Sequence, residues 1–166
     1  MSTMARLSTV VRVGIAEGAV VREPERIRTT GLGSCVGIAM YDKAIGVAGL
    51  VHIMLPTAPV DTCTTPTKYA DSAIPWLLEE LLTLGCRKSG VRAKIAGGAQ
   101  MFASTGKSEI MRIGPRNVDA TKETLAMYGI PIVAADVGGN IGRTIEFDVA
   151  TEELTIKTAL RGTYSI

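Results

Sequence analysis

Two residues that could do chemistry together lie in the segment 29–56: Cys35 and His52, the latter the only histidine of the chain. Gly31 and Gly33 precede the cysteine, and the histidine lies within a second apolar run. A free thiol is only slightly ionised at neutral pH, and a nearby imidazole can take its proton and later protonate a leaving group. The two residue types therefore suggest a cysteine nucleophile with a histidine base.

Two predicted strands would bring these side chains together. Residues 36–41 alternate with a period of two, and residues 47–55 form a second apolar run after a short turn. In the simplest hairpin Gly37 lies opposite His52, which makes Cys35 and His52 diagonal neighbours on one face, with β-carbons roughly 5 to 8 Å apart. A register slip of one residue would send them to opposite faces. The hairpin thus permits a catalytic pair without requiring one.

Small and hydroxylated residues around the cysteine complete the candidate site. The backbone N–H of Cys35, with Gly33 and Ser34 before it, is placed to face a developing oxyanion. An imidazole base generally needs a third group to fix its tautomer, and either Thr29 or Thr30 could serve. The competing interpretation is structural, because free cysteines commonly pack as small hydrophobes and lone histidines on apolar strands are commonly core residues. The residues alone leave both interpretations open.

Several segments form a distinctive set around and after this pair. The first two are GLGSCVGIAMYD at residues 31–42 and GLVHIMLP at residues 49–56. Downstream follow KYADSAIPWLLEELLTLGC, KIAGGAQMF, IGPRN and GIPIVAADVGGNIGRTIEFDVATEELTIK. In this order, over residues 10–160, these blocks resemble the CheD family of bacterial chemoreceptor glutamine deamidases.

The resemblance implies roles for three residues: Cys35 as nucleophile, His52 as base and Thr29 as the group that orients the base. It implies hydrolysis of glutamine side-chain amides on the cytoplasmic helices of chemoreceptors, through a thioester and without a metal or organic cofactor. It also implies, as a partner in some bacteria, a CheC-type phosphatase. The fold it implies is a layered α/β sandwich with mixed sheets and outer helices.

Two other functions compete with the deamidase. A non-catalytic binding module of the chemotaxis pathway would tolerate loss of Cys35 and His52 but would depend on surface residues such as Phe102. That residue, in the segment GGAQMF, either packs into the core together with Met101 or is presented to a partner protein. A general cysteine peptidase would need a substrate groove, which a sequence does not reveal.

Composition narrows the class of protein. A chain of 166 residues with 46% hydrophobic content suits one compact domain, here 1–166 with a short N-terminal tail at 1–7. The tail lacks the apolar region of a signal peptide and no long uncharged apolar run follows, which predicts a cytoplasmic protein without membrane insertion. A net charge of +2 with dispersed basic residues argues against a nucleic-acid partner. The three cysteines Cys35, Cys63 and Cys86 lack metal-ligand spacing, which predicts reduced thiols and no metal site.

Many short strands and two helices predict an α+β domain in which sheets carry the site and helices cover an outer face. The expected elements are a first strand within 8–21, a charged connection or short strand over 22–28, a helix capped by Asp71 or Ser72 and ended by Gly85, a tight turn at 114–118, a helix over 117–128, and a hairpin of 143–149 with 153–159.

Overall fold

The structure, a computed structural model, describes residues 9–60, 65–101 and 112–166 as two β-sheets and two α-helices. The strands are β1 (Val10–Val13), β2 (Gly18–Arg22), β3 (Arg26–Leu32), β4 (Val36–Asp42), β5 (Val47–Ile53), β6 (Arg92–Gly97), β7 (Ile132–Val137), β8 (Arg143–Asp148), β9 (Leu154–Thr158) and β10 (Gly162–Ser165). The helices are α1 (Ala70–Thr83) and α2 (Ile113–Met127). The first sheet has the order β1-β3-β8-β9-β10 and the second the order β2-β5-β4-β6-β7.

The two sheets and the two helices form three layers. Along β4, Ile38 and Met40 pack in a cluster with helix residues such as Leu77, whereas Ala39 and Tyr41 pack with residues of the first sheet. The second sheet is therefore covered on both faces, which explains why β4 and β5 are buried at every residue. Both sheets are mixed, since β1 pairs parallel with β3 and β6 parallel with β7. The predicted α+β layered sandwich with outer helices is confirmed.

The hairpin of β4 and β5 has the predicted register. Gly37 pairs with His52 and Asp42 pairs with Val47 across an antiparallel ladder. The turn ends at Gly46, which has a positive φ of 69° that glycine adopts without steric cost. This register places the side chains at 35 and 52 on one face rather than on opposite faces.

Residues 10–22 form two strands, whereas a single first strand was expected over 8–21. β1 pairs with β3 in the first sheet, whereas β2 pairs with β5 in the second. The turn between them crosses from one sheet to the other, and there the N–H of Ala16 donates to the carbonyl of His52 over 2.9 Å. The charged segment after β2 leads into a full strand, β3, which runs toward the cysteine.

Both helices begin earlier than predicted. The expected turn at 114–118 is wrong, because these residues lie in α2, where Pro115 occupies the first turn and its missing N–H removes no helical bond. The N-cap of α1 is Tyr69, so neither Asp71 nor Ser72 caps it.

The C-terminal strands form one side of the first sheet. β8 and β9 pair antiparallel as expected, and β10, which was not predicted, pairs with β9 at the edge of the first sheet. Neither helix of the described ranges is long and apolar enough to cross a membrane. The expected tail at 1–7, Cys63 and Phe102 lie outside the described residues.

Candidate active site

Cys35 and His52 belong to the face of the second sheet that looks toward the first sheet. On β5, Ala48 and Leu50 are part of the cluster between the sheets, and residues two apart in a strand share a face, so His52 points the same way. Cys35 packs against that same cluster. Since Gly37 pairs with His52, the cysteine two residues earlier is its diagonal neighbour. The site therefore lies between the two sheets, at one end of the hairpin.

A third side chain reaches His52 from the facing sheet. The hydroxyl oxygen of Thr29 lies 2.6 Å from Nδ1 of His52 and 2.7 Å from the carbonyl oxygen of Val13. Thr29 is buried on β3, whereas the neighbouring Thr30 is exposed, because successive residues of a strand face opposite sides. Of the two threonines that the residues alone left open, Thr29 is the one whose hydroxyl contacts His52.

This chain of hydrogen bonds assigns the tautomer of the imidazole. A carbonyl oxygen can only accept, so the single hydroxyl proton of Thr29 goes to Val13. The Thr29 oxygen must then accept a proton from Nδ1 of His52, which leaves the lone pair on Nε2. Nε2 is buried and has no hydrogen-bond partner among the described residues. The imidazole therefore presents a free proton acceptor within the site.

Burial keeps both members of the pair neutral. Desolvation lowers the pKa of His52 to about 4, because its side chain is fully buried and the charged form loses hydration. Desolvation raises the pKa of the half-buried Cys35 thiol, and its own backbone N–H counters this by lowering it. The resting site thus holds a thiol and a neutral imidazole.

Three successive carbonyls fix the cysteine loop, which we define as residues 33–35. Each carbonyl accepts one hydrogen bond, either from the segment that follows β6 or from α2. The donors are Ala99 N to Gly33 O at 2.8 Å, Asn117 Nδ2 to Ser34 O at 2.9 Å, and Gly98 N to Cys35 O at 2.8 Å. These three hydrogen bonds hold the backbone that carries the cysteine.

The segment after β6 approaches this loop so closely that a glycine is needed. Gly97 has a φ of 115°, and a β-carbon built there would lie 2.3 Å from the carbonyl oxygen of Cys35. The sequence indicated a glycine turn here that could pack Met101 into the core. Met101 instead is 47% exposed and lies against Gly33.

Two contributors to the site were missed by sequence reasoning. Asn117 was predicted in the turn at 114–118 and as the first residue of the helix over 117–128, with no role in the site. The structure places its fully buried side chain against the cysteine loop. The carbonyl of Val13 carries no sequence signal, because its role depends only on the packing of β1 beside β3.

The remaining described thiol, Cys86, is chemically distinct. It is buried, and desolvation raises its pKa to about 11, with a further rise from the charge of Asp42. A thiol of such low acidity is a poor nucleophile at neutral pH. Within the residues that the structure describes, no three or more His, Cys, Asp or Glu side chains form a group that could hold a metal ion.

Comparison with known proteins points to one family. A family model described as CheD chemotactic sensory transduction matches residues 54–158. A Bacillus licheniformis protein named chemoreceptor glutamine deamidase CheD is 47% identical, with 100% of both chains covered. The Bacillus subtilis protein of the same name is 45% identical over 96% of this chain and 97% of its own. Among solved structures, a Neisseria meningitidis protein of the DUF152 family gives a TM-score of 0.47 at 7% identity, covering 80% of this chain and 65% of its own.

Proposed function

The chain belongs to the CheD family, and we propose that it hydrolyses the side-chain amide of specific glutamines on chemoreceptors, giving glutamate and ammonia. Its relatives are named chemoreceptor glutamine deamidases. The observation that carries the proposal is the hydrogen-bond chain from Val13 through Thr29 to His52, because it leaves Nε2 of the imidazole as a free base on the face that holds Cys35. Such a base beside a thiol suits acyl transfer from an amide.

In the first half of the reaction the thiol displaces ammonia. Nε2 of His52 takes the proton of Cys35 as the sulfur forms a bond to the carboxamide carbon of glutamine. The carbonyl oxygen becomes an oxyanion, which the backbone N–H of Cys35 stabilises. The imidazolium then protonates the leaving nitrogen, the C–N bond breaks, and ammonia departs from a thioester.

In the second half water releases the product. Nε2 removes a proton from water as the water oxygen attacks the thioester carbon, and the C–S bond breaks after the oxyanion collapses. The thiolate recovers its proton from His52, and glutamate leaves the site. The two halves together consume one water and produce one ammonia. His52 carries the proton transfers and Cys35 the acyl group, so these steps use no metal or organic cofactor.

The low pKa of His52 fits this order of events. An imidazole with a pKa of about 4 is neutral at physiological pH and available as a base in the resting protein. Once the bond between the sulfur and the carboxamide carbon has formed, the negative oxyanion and the hydrogen bond to Thr29 favour the transient imidazolium. Thr29 acts here as the group that holds His52 in its working tautomer.

The substrate and the partners follow from the same proposal. The cytoplasmic helices of chemoreceptors are the expected substrate, which places the enzyme in the cytoplasm without membrane insertion. Regulation by, or of, a CheC-type phosphatase stays a prediction, as does the contact at Phe102, which lies outside the described residues.

Mass spectrometry of a chemoreceptor cytoplasmic fragment tests the proposal. After incubation with the wild-type protein we expect a gain of about 1 Da at defined glutamines, since an amide becomes an acid through the thiol route. Cys35→Ala should give no gain. Cys86→Ala is the matched control, because it removes a buried thiol outside the site, and it should retain turnover.

Two results would contradict the proposal. Full turnover by Cys35→Ala would remove Cys35 as the nucleophile. No mass change with the wild-type protein, although it binds the fragment, would instead favour the non-catalytic binding module of the chemotaxis pathway.

A further inference from the structure

Asn117 joins the two segments that carry the candidate pair. Its Nδ2 lies 2.9 Å from the carbonyl oxygen of Ser34, directly before Cys35, and 2.9 Å from the carbonyl oxygen of Met54, two residues after His52. The side chain is completely buried within α2. Both contacts lie beyond the last ladder pair of β4 and β5, Val36 with Ile53, so the ladder itself does not fix this end of the hairpin.

The contact with Ser34 also sets the direction of an N–H group. The carbonyl of Ser34 and the N–H of Cys35 belong to one peptide unit, and in a trans peptide these two groups point in opposite directions. Since the carbonyl points at Asn117, the N–H points away from α2. That N–H lies close enough to the sulfur of Cys35 to influence its ionisation. The amide of Asn117 therefore holds the peptide unit with its N–H directed away from α2 and close to the sulfur of Cys35.

We propose that Asn117 is a positioning residue that acts through the Ser34 carbonyl to aim the backbone N–H of Cys35 at the oxyanion. This inference rests on the proposed deamidation. Loss of Asn117 releases the peptide unit to rotate, and the oxyanion loses a pre-oriented donor at the moment when charge develops. The thiol and the imidazole keep their own supports, Gly98 and Thr29.

A primary amide is the group that suits this position. Its NH2 carries two protons and can serve both carbonyls, whereas a hydroxyl has one proton and a carboxylate none. The Oδ1 atom is buried and has no partner among the described residues, so the contacts of this side chain here are those of a donor. α2 also packs closely against the segment after β6 that supports the cysteine loop, since a β-carbon at Gly114 would lie 2.3 Å from the carbonyl oxygen of Ala99.

Two reactions of the same cysteine separate this role from a general structural one. Deamidation needs the oxyanion donor, whereas alkylation of Cys35 by iodoacetamide needs only the thiolate, since no oxyanion forms. For Asn117→Ala we expect kcat for the receptor fragment to fall about 10² to 10³-fold with KM little changed. The rate of Cys35 alkylation, followed by peptide mass spectrometry, should stay within a few-fold of the wild-type rate.

Two further variants keep the test decisive if Asn117→Ala folds poorly. Asn117→Asp preserves the shape but turns an oxygen toward a carbonyl oxygen, and we expect at least as large a loss of kcat. Leu125→Val, at a fully buried position of the same helix, loosens the packing without touching the cysteine loop and should keep kcat. All assays are run below the lowest melting temperature of the set.

The outcomes differ for the inference and for the proposed function. An active wild-type protein together with unchanged kcat in folded Asn117→Ala and Asn117→Asp would overturn the inference alone. A parallel fall of deamidation and alkylation would also overturn it, because the effect would then lie in the thiol and imidazole. An inactive wild-type protein would reject the proposed function itself.

Discussion

One hydroxyl group determines which nitrogen of His52 is free to act. The Val13 carbonyl takes the only proton of Thr29, so Nδ1 of His52 must donate to Thr29 and Nε2 remains an acceptor. A neutral hydroxyl in this place lacks the negative charge by which a carboxylate would raise the pKa of the imidazole strongly. The site can therefore keep a fully buried base neutral at physiological pH.

Thr29→Val tests this arrangement at the level of one atom. Valine keeps the shape of threonine but leaves Nδ1–H of His52 without an acceptor, so the imidazole can adopt the other tautomer and present N–H instead of a lone pair to Cys35. We expect kcat to fall about 10² to 10⁴-fold, the range that general-base catalysis contributes. Steady-state deamidation of the receptor fragment measures it.

Thr29→Ser is the matched control, because it restores the hydroxyl and should recover most of the lost kcat. Valine-like loss in the serine variant would show that the methyl group, and hence packing, matters at Thr29 rather than the hydrogen bond. Wild-type kcat in Thr29→Val would contradict the tautomer assignment.

At the level of elements, the hairpin was predictable and the support of the cysteine loop was not. Alternation along β4, the apolar run of β5 and the glycine-ended turn together specify a register, and a slip would have moved His52 to the other face. The support depends on contacts between segments far apart in the chain, β6 and α2. Local turn signals around Pro115 and Asn117 favoured a turn, whereas packing of α2 on the second sheet favours a helix.

Gly97 shows how strongly one such contact constrains the loop. An alanine there would place a β-carbon 2.3 Å from the carbonyl oxygen of Cys35, and relief of this clash requires a displacement of about 1 Å. Misplacement on that scale typically costs about 10²-fold in rate, so we expect such a loss of kcat for Gly97→Ala. Deamidation kinetics and a thermal melt of the same sample measure activity and stability together.

Gly85→Ala is the control for backbone strain alone. Gly85 has a φ of 100°, close to that of Gly97, but no atom lies within 4 Å of its added β-carbon. We expect Gly85→Ala to lower stability by about 1–3 kcal/mol and to leave kcat unchanged. Equal kcat in the two alanine variants would mean that contact with Cys35 is irrelevant to activity.

At the scale of the whole molecule, the three layers bury the only histidine of the chain. The second sheet is covered by the helices on one face and by the first sheet on the other, and His52 lies in its central strand pair with no exposed surface. The predicted fold class includes these layers. The complete burial of His52 depends in addition on how the two sheets pack together, which the sequence does not specify. That burial couples the chemistry of the site to the stability of the fold.

The coupling predicts how stability changes with pH. Folding lowers the pKa of His52 from its ordinary value of 6.5 to about 4, so between these values the unfolded chain binds a proton that the folded protein does not. The contribution of His52 to the free energy of unfolding therefore falls as pH decreases from about 6.5 to about 4. The loss attributable to His52 is about 3 kcal/mol at the lower end, at roughly 1.4 kcal/mol per pH unit.

His52→Gln isolates this contribution, because glutamine is polar and does not titrate and no second histidine exists in the chain. Carboxylates titrate in both proteins, so their effect cancels in the difference between the two unfolding free energies. Urea denaturation at intervals from pH 7.5 to pH 4 should show a constant difference above about pH 6.5. Below that pH the wild-type protein should lose about 3 kcal/mol of stability relative to His52→Gln. A difference that stays constant down to pH 4 would mean that folding does not lower the pKa of His52, and the imidazole would then be charged in mild acid rather than held as a neutral base.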